Sequence, residues 1–269
     1  MNMDSVKLVV TDMDGTLLNA NGQKSPEFYT VFRDLRKHDI QFAAASGRQY
    51  YNLLHQFEPV KNDMYFMAEN GSYVAYKDET LLVRGLETTV AHGLIDIARS
   101  IPGAYIILCG RKQAYLESTD EAFLVHVNQY YDRQQIVKDL KSVVDDDLLK
   151  IAICDTKGAE SNSYQHFKQY EQELQVKISG KTWLDLSDRL ANKGVALSAL
   201  QKRLGIRPEE TMVFGDYLND LEMMGAAKFS YAMANAHPEI KAAATYIAPS
   251  NEEDGVMTVL KELLRSKSN

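Results

Sequence analysis

Two aspartates one residue apart, Asp12 and Asp14, stand where the apolar run at residues 6–10 stops, and Gly15 and Thr16 follow them. Taken alone, acids and a glycine after an apolar run are ordinary turn chemistry. Three other places change that weight. A second apolar run, residues 40–45, ends in Ser46, Gly47 and Arg48. A late one, residues 211–214, ends in Gly215 and Asp216, with Asn219 and Asp220 close behind. Lys193 follows Asn192 at the start of an expected helix. A free cation is unfavourable at that positive dipole end. It becomes reasonable where an anion or carboxylates converge on it.

Three or four carboxylates in one crevice repel each other, and some would have to take up protons. A hard dication removes that difficulty. Mg²⁺ takes oxygen ligands, uses few carboxylates and keeps waters or phosphate oxygens. The Ser46 hydroxyl, the backbone N–H groups of the helix start behind it and Lys193 suit phosphate oxygens. A carboxylate beside a metal and a phosphate can attack as a nucleophile and form an aspartyl-phosphate. A second acid two residues along can shuttle a proton.

The elements that must position these residues alternate. Residues 6–10, 40–45 and 64–68 read as strands, and residues 26–35 and 49–57 as helices. Ser25 is expected as the N-cap of the first helix, with Pro26 in its first turn. Phe28, Val31, Phe32 and Leu35 give it one apolar face. This order implies a parallel sheet with right-handed crossovers, whose chemistry gathers beyond the carboxyl ends of the strands. After Glu69, Asn70 and Gly71, residues 72–76 and 80–84 read as a hairpin around Lys77, Asp78 and Glu79.

A stretch with its own rhythm follows. Helices are expected at 90–98, 123–131, 136–143 and 161–174, and strands at 105–109, 114–117, 149–154 and 176–179. The doubly wound rhythm then resumes, with a helix at 193–204 closed by Gly205. The expected organisation is an α/β core of doubly wound parallel-sheet type at 1–84 and 183–269, with an inserted α+β cap at 85–182.

Composition bounds the rest. The chain has 269 residues, 45% hydrophobic and 25% charged, which is globular composition. A net charge of -7 argues against nucleic acid and anionic membranes as partners. No apolar stretch is long enough to span a bilayer. The start "MNMDSVK" lacks the succession of a signal peptide, so the expected compartment is the cytoplasm. Cys109 and Cys154 sit in apolar runs and read as buried thiols.

The motifs resemble those of the haloacid dehalogenase-like hydrolase superfamily, and within it the Cof-type phosphatases with a large α/β cap. The matching pieces are "DMDGTLL" from Asp12, "ASGR" from Ala45, "NKG" from Asn192 and "GDYLND" from Gly215. "AMANA" from Ala232 and "NEEDGV" from Asn251 resemble the subfamily too. The resemblance implies a Rossmann-like core and a Mg²⁺-dependent phosphatase acting on small phosphorylated metabolites such as sugar phosphates or phosphorylated cofactors. Asp12 would be the nucleophile and a metal ligand. Asp14 would protonate the leaving alcohol and then activate water, its backbone carbonyl on the metal. Asp216 would complete the metal site. Ser46, Gly47 and Lys193 would hold the phosphoryl group, with Thr16, Asn219 and Asp220 in support. A halide leaving group needs no proton and an alkoxide does, so Asp14 favours phosphate chemistry.

Other residues keep two readings. Arg48 either meets a phosphate or caps its loop. Asn70 faces the crevice or makes a turn, and Glu69 is at least a loop acid. Tyr105, Arg111, Lys112 and Tyr115 are candidates for substrate contact from the cap, or cover its own sheet. Trp183 reads as packing, and His126 and His166 as structural or solvated. The competing functions are a phosphotransferase or mutase of the same superfamily and a non-catalytic metal- or phosphate-binding protein. The oligomeric expectation is a monomer or small homo-oligomer.

Overall fold

The structure, a computed structural model, describes residues 3–77 and 79–267. Met1, Asn2, the hairpin residue Asp78, Ser268 and Asn269 lie outside the described residues. The first sheet forms around β1 (Leu8–Thr11), which is buried along its whole length. β12 (Thr211–Gly215) pairs with one edge of β1 and β2 (Gln41–Ala45) with the other, both parallel. β3 (Tyr65–Ala68) continues one side, and β13 (Phe229–Met233) and β14 (Tyr246–Ala248) the other, also parallel. β4 (Tyr73–Tyr76) and β5 (Glu79–Val83) add an antiparallel hairpin at the β3 edge. The sequence order reverses at β1, so its carboxyl end is the switch point of a doubly wound sheet.

The flanking helices pack by the expected stripe. α1 (Phe28–Lys37) buries Phe28, Val31, Phe32 and Leu35. Phe42 from β2 meets Phe28 and Phe32 edge-on, with ring centroids 5.7 and 5.6 Å apart. The regular helix opens later than expected, after Glu27 with no side-chain cap there; the Ser25 hydroxyl accepts the Glu27 N–H at 3.4 Å and donates to Asp254 at 3.0 Å. α2 (Tyr50–Gln56) follows β2, and α6 (Lys193–Leu204) precedes β12. Gly205 ends α6 in the left-handed region at φ 66°, as expected for a helix stop.

The second sheet has the order β10 (Leu174–Gly180), β11 (Trp183–Asp188), β9 (Leu148–Asp155), β6 (Ala104–Gly110), β7 (Ala114–Leu116), β8 (Gln134–Ile136). α3 (Thr88–Arg99), α4 (Glu121–Tyr130) and α5 (Ser163–Phe167) pack with it. Three expectations change here. Residues 136–143 are not a helix, because 134–136 pair with β7 and only a short 3₁₀ turn, Leu140–Ser142, follows. The helix expected at 161–174 stops at Phe167, because Leu174 already pairs with Asp188. The boundary expected at 183 cuts through the sheet, because Trp183–Asp188 is a strand between β9 and β10.

That strand alternates. Leu184 and Leu186 join the core under α3, with Ile151 and Ile153 of β9. Trp183, Asp185 and Lys150 face the other way, toward the carboxyl end of β1, and line a cavity there. Among the described residues no helix is long and apolar enough to cross a membrane. Cys109 and Cys154 are buried free thiols, and burial pushes both pKa values up, that of Cys154 to about 11.

Phe42 joins the β2 edge of the site to α1 through its ring contacts. Phe42→Ala is expected to destabilise the protein by about 3–5 kcal/mol, read from the midpoint of urea unfolding.

Candidate active site

The first wall of the cavity grows from the turn after β1. Asp12 donates its N–H to the Phe214 carbonyl of β12, which extends the parallel pairing by one residue and fixes the carboxylate at the strand end. Gly15 then turns the chain at φ 79°. A Cβ on Gly15 would sit 2.3 Å from Asp216 Oδ2, so only glycine fits this approach. Thr16 donates from its hydroxyl to Asp216 Oδ1 at 2.9 Å.

The second wall comes from α6 and β12. Asn192 caps α6 by accepting from Val195 N–H at 2.9 Å. Lys193 is then the first helical residue and is fully buried. Its ammonium donates to Asp12 at 2.5 Å and to Asp220 at 2.6 Å. The other oxygen of Asp220 accepts the backbone N–H of Asp216 at 2.9 Å and of Tyr217 at 3.2 Å. Asp220 thus spends both oxygens on protein groups and fixes the loop that carries Asp216.

The third wall is the loop after β2. Ser46 is buried, and its hydroxyl oxygen accepts the Arg48 N–H at 3.1 Å. Arg48 grips Asp14 as a fork, Nη2 to Oδ1 at 2.6 Å and Nε to Oδ2 at 2.7 Å. Its guanidinium also reaches Asn52 and the Gln129 carbonyl, and lies 5.2 Å from the Tyr130 ring centroid. Of the two readings of Arg48, the structure does not show the loop cap; the side chain lines the cavity and clamps Asp14.

Oxygens of Asp12, Asp216 and Asp220 lie within 4.8 Å of one another. Lys193 is the cation in contact with this trio, so negative charge is left over. Burial drives the Asp12 carboxyl well above its usual value, and the nearby acids outrun part of what Lys193 recovers. Burial and then Asp220 push Asp216 up to about 6. Burial alone would lower the Lys193 pKa, but Asp12 and Asp220 outweigh it and raise it. An all-oxygen donor set with surplus negative charge fits a hard dication. Asp12 and Asp216, whose oxygens are not all taken, would hold it.

The cavity encloses about 380 Å³. Asp12, Asp14, Ser46, Gly47, Asp216 and Asn219 line its floor. Tyr130, Tyr131, Lys150, Trp183 and Asp185 line the side given by the second sheet. The structure therefore brings Asp12, Asp14, Ser46, Gly47, Asp216 and Asn219 onto one surface, with Lys193, Thr16 and Asp220 directly beneath it.

The four residues named as substrate contacts from the cap do not reach the cavity. Tyr105 stacks on Phe123 at 4.7 Å, and Tyr115 donates to Asp146 at 2.9 Å. Arg111 pairs with Asp147 and the Lys112 N–H bonds to Asp146. Trp183, read as packing, does reach the cavity. His126 and His166 are exposed. Glu69 and Asn70 are more than turn residues. Both are buried at positive φ, and their side chains meet Lys150 and Asp185 of the second sheet. The missed contributors, Lys150 and Asp185, had a signal: a lone lysine inside the apolar run at 148–154 and the alternation "WLDLSD" from Trp183.

A family description, haloacid dehalogenase-like hydrolase, matches residues 9–260. The chain belongs to this family. It is 31% identical to the 5-amino-6-(5-phospho-D-ribitylamino)uracil phosphatase YbjI of Escherichia coli (strain K12) over 267 residues, 98% of each chain. It is 29% identical to phosphatase YwpJ of Bacillus subtilis (strain 168) over 96% of this chain and all of the relative. A solved structure from Streptococcus mutans UA159 superposes with a TM-score of 0.87 at 32% identity, over 97% of this chain and 99% of that one. A solved haloacid dehalogenase-like hydrolase of Bacillus subtilis gives 0.84 at 25% identity, over 96% of this chain and all of that one. Phosphatase activity is what these relatives support for this hydrolase-family chain.

The raised Asp216 pKa has a stability consequence in metal-free protein. With a folded value near 6 against a usual 3.8, the folded state binds the extra proton between those values. Stability is therefore lost as pH rises through that window. Asp216→Asn removes the effect, so the variant should gain on the order of 2 kcal/mol relative to wild type between pH 4 and 7. Urea unfolding in EDTA at the two pH values reads the difference.

Proposed function

We propose that this chain is a Mg²⁺-dependent phosphatase that hydrolyses small phosphorylated metabolites through an aspartyl-phosphate on Asp12. The observation that carries the reading is the convergence of Asp12, Asp14, Ser46 and Asp216 on one cavity, with Lys193 beneath. A bound Mg²⁺ would supply positive charge between Asp12, Asp216 and the phosphoryl oxygens, with the Asp14 carbonyl as a further ligand. Ser46, the backbone at Gly47 and Lys193 orient the phosphoryl group.

The residues divide the reaction. An Asp12 carboxylate oxygen attacks phosphorus and the ester P–O bond breaks. The leaving oxygen takes its proton from Asp14. Water then attacks phosphorus, Asp14 takes the proton back, and the Asp12–phosphorus bond breaks to release phosphate. Lys193 holds Asp12 in one rotamer, and Arg48 grips Asp14 in its ionised form, a grip that loosens when Asp14 carries the proton. Such a reaction depends mainly on positioning and charge neutralisation.

The Escherichia coli relative is named for a phosphate ester of a ribityl arm on a uracil. Here the side of the cavity given by the second sheet carries Tyr130, Tyr131 and Trp183. Aromatic walls of this kind suit a planar ring. Phosphorylated ring-bearing cofactor precursors therefore join sugar phosphates as the substrates to try.

Phosphate release from a panel of both kinds, in Mg²⁺ and in EDTA, tests the reading. Release is expected in Mg²⁺ only. Asp12→Asn should lose about 10⁴-fold or more in kcat. Asp14→Asn should keep metal binding and accumulate phospho-enzyme from an activated ester. Near-wild-type turnover by Asp12→Asn sinks the mechanism.

A further inference from the structure

The loop that carries Ser46 is held from two sides. The first sheet supplies three backbone bonds: Ser46 N–H to Met67 O at 2.9 Å, Asn70 N–H to Ser46 O at 2.9 Å and Glu69 N–H to Arg48 O at 3.1 Å. The Gly47 carbonyl is held from the second sheet. Lys150, on β9, donates to it at 2.9 Å.

Lys150 is buried to 2% exposure. Its ammonium also meets Glu69 at 2.9 Å and Asp185 at 3.3 Å. An ammonium has three donors. One donor is used by the Gly47 carbonyl and the two carboxylates face the ammonium at ion-pair distance, so the charge is directed at protein groups although Lys150 lines the cavity. In this orientation it can act on a phosphate through a neighbour.

The Gly47 carbonyl and the Arg48 N–H belong to one planar trans peptide and point in opposite directions. Lys150 pulls on the first. The second donates to Ser46 Oγ at 3.1 Å. A serine oxygen that accepts there keeps its own proton free to donate elsewhere. The peptide therefore transmits the position of Lys150 to the aim of the Ser46 hydroxyl.

We propose that Lys150 is a positioning residue of the phosphate site, acting from the second sheet through the Gly47–Arg48 peptide on the Ser46 hydroxyl. The proposal rests on the phosphatase reading above and adds that seating of the second sheet completes the phosphate site.

Stability does not explain the arrangement well. A buried ion pair is rarely better than an apolar replacement of the same size. Both carboxylate oxygens of Glu69 are buried without a hydrogen-bond partner, Oε2 being held only as an ion pair with Lys150. Glu69 and Asn70 hold left-handed φ values of 50° and 55°. Asn70 also ties Asp185 to Asn219, at 2.8 and 3.1 Å. Strained backbone and an incompletely bonded acid persist where a site requires them.

The test is a double-mutant cycle of Lys150→Met and Ser46→Ala in the full chain with Mg²⁺. It reads kcat/KM on the best substrate of the panel and the inhibition constant of inorganic phosphate. Each single variant is expected to lose roughly 10–100-fold in kcat/KM, and the double to be within about threefold of the worse single. Lys150→Met is also expected to raise the phosphate inhibition constant by roughly tenfold. A merely structural lysine would lower Tm, leave that constant unchanged and give losses that multiply with those of Ser46→Ala. Either of the last two results overturns the proposal. If Lys150→Met does not fold, Lys150→Met/Glu69→Gln removes the cation with a charge it neutralises, and Glu69→Gln becomes the reference for the same cycle. A wild-type protein that releases no phosphate in Mg²⁺ overturns the phosphatase reading and this inference with it. An active wild type with multiplying losses overturns this inference alone.

Discussion

The Lys193 ammonium, buried between Asp12 and Asp220, is the contact on which the rest of the site depends. It joins the end of β1 to the loop after β12 and the start of α6. Removing a buried cation from two carboxylates leaves uncompensated charge in a low-dielectric place. The geometry around it is therefore over-determined. Asn192 fixes the helix start, Asp220 is saturated by two backbone N–H groups, and Gly15 leaves room for Asp216. What remains unsatisfied is the surplus negative charge of Asp12 and Asp216, and that surplus is the property a dication and a phosphoryl group need.

The second sheet is more than a lid in this arrangement. Arg48 reaches from the Asp14 carboxylate to the Gln129 carbonyl and the Tyr130 ring. Gln49 exchanges bonds with the backbone of Arg133, and Asn52 donates to Asp132. Lys150 and Asp185 enter the polar layer beneath the cavity. The two catalytic candidates that differ most in exposure, buried Asp12 and half-exposed Asp14, thus answer to different parts of the molecule. Asp12 is held wholly by the first sheet's own elements. Asp14 is held by an arginine that touches both.

Local signals carried the core of this fold far. The stripe of Phe28, Val31, Phe32 and Leu35, the short β-branched run before Asp12 and the stop at Gly205 each express a preference that the packing agrees with. Such consistency between levels is what makes a pattern legible. It failed in the inserted part, where the helices expected at 136–143 and 161–174 were cut short by strands pairing at Ile136 and Leu174. Edge pairing uses backbone groups, and those leave little trace in side-chain order.

By itself the sequence determined which strand ends carry acids, a serine and a lysine, and that they come in an order suited to phosphate chemistry. Those residues are local features of turns and helix starts, so their types are readable one at a time. Only the tertiary structure decided which residues of the inserted part face them. Tyr105 and Tyr115 look as polar and aromatic as Tyr130 and Trp183, yet the face each strand or helix presents is set by register. A shift of one residue in a strand exchanges its two faces. The partners of Lys150 lie 35 and 81 residues away along the chain, at Asp185 and Glu69. No local pattern records such distances, and the burial that makes them matter exists only once the two sheets meet.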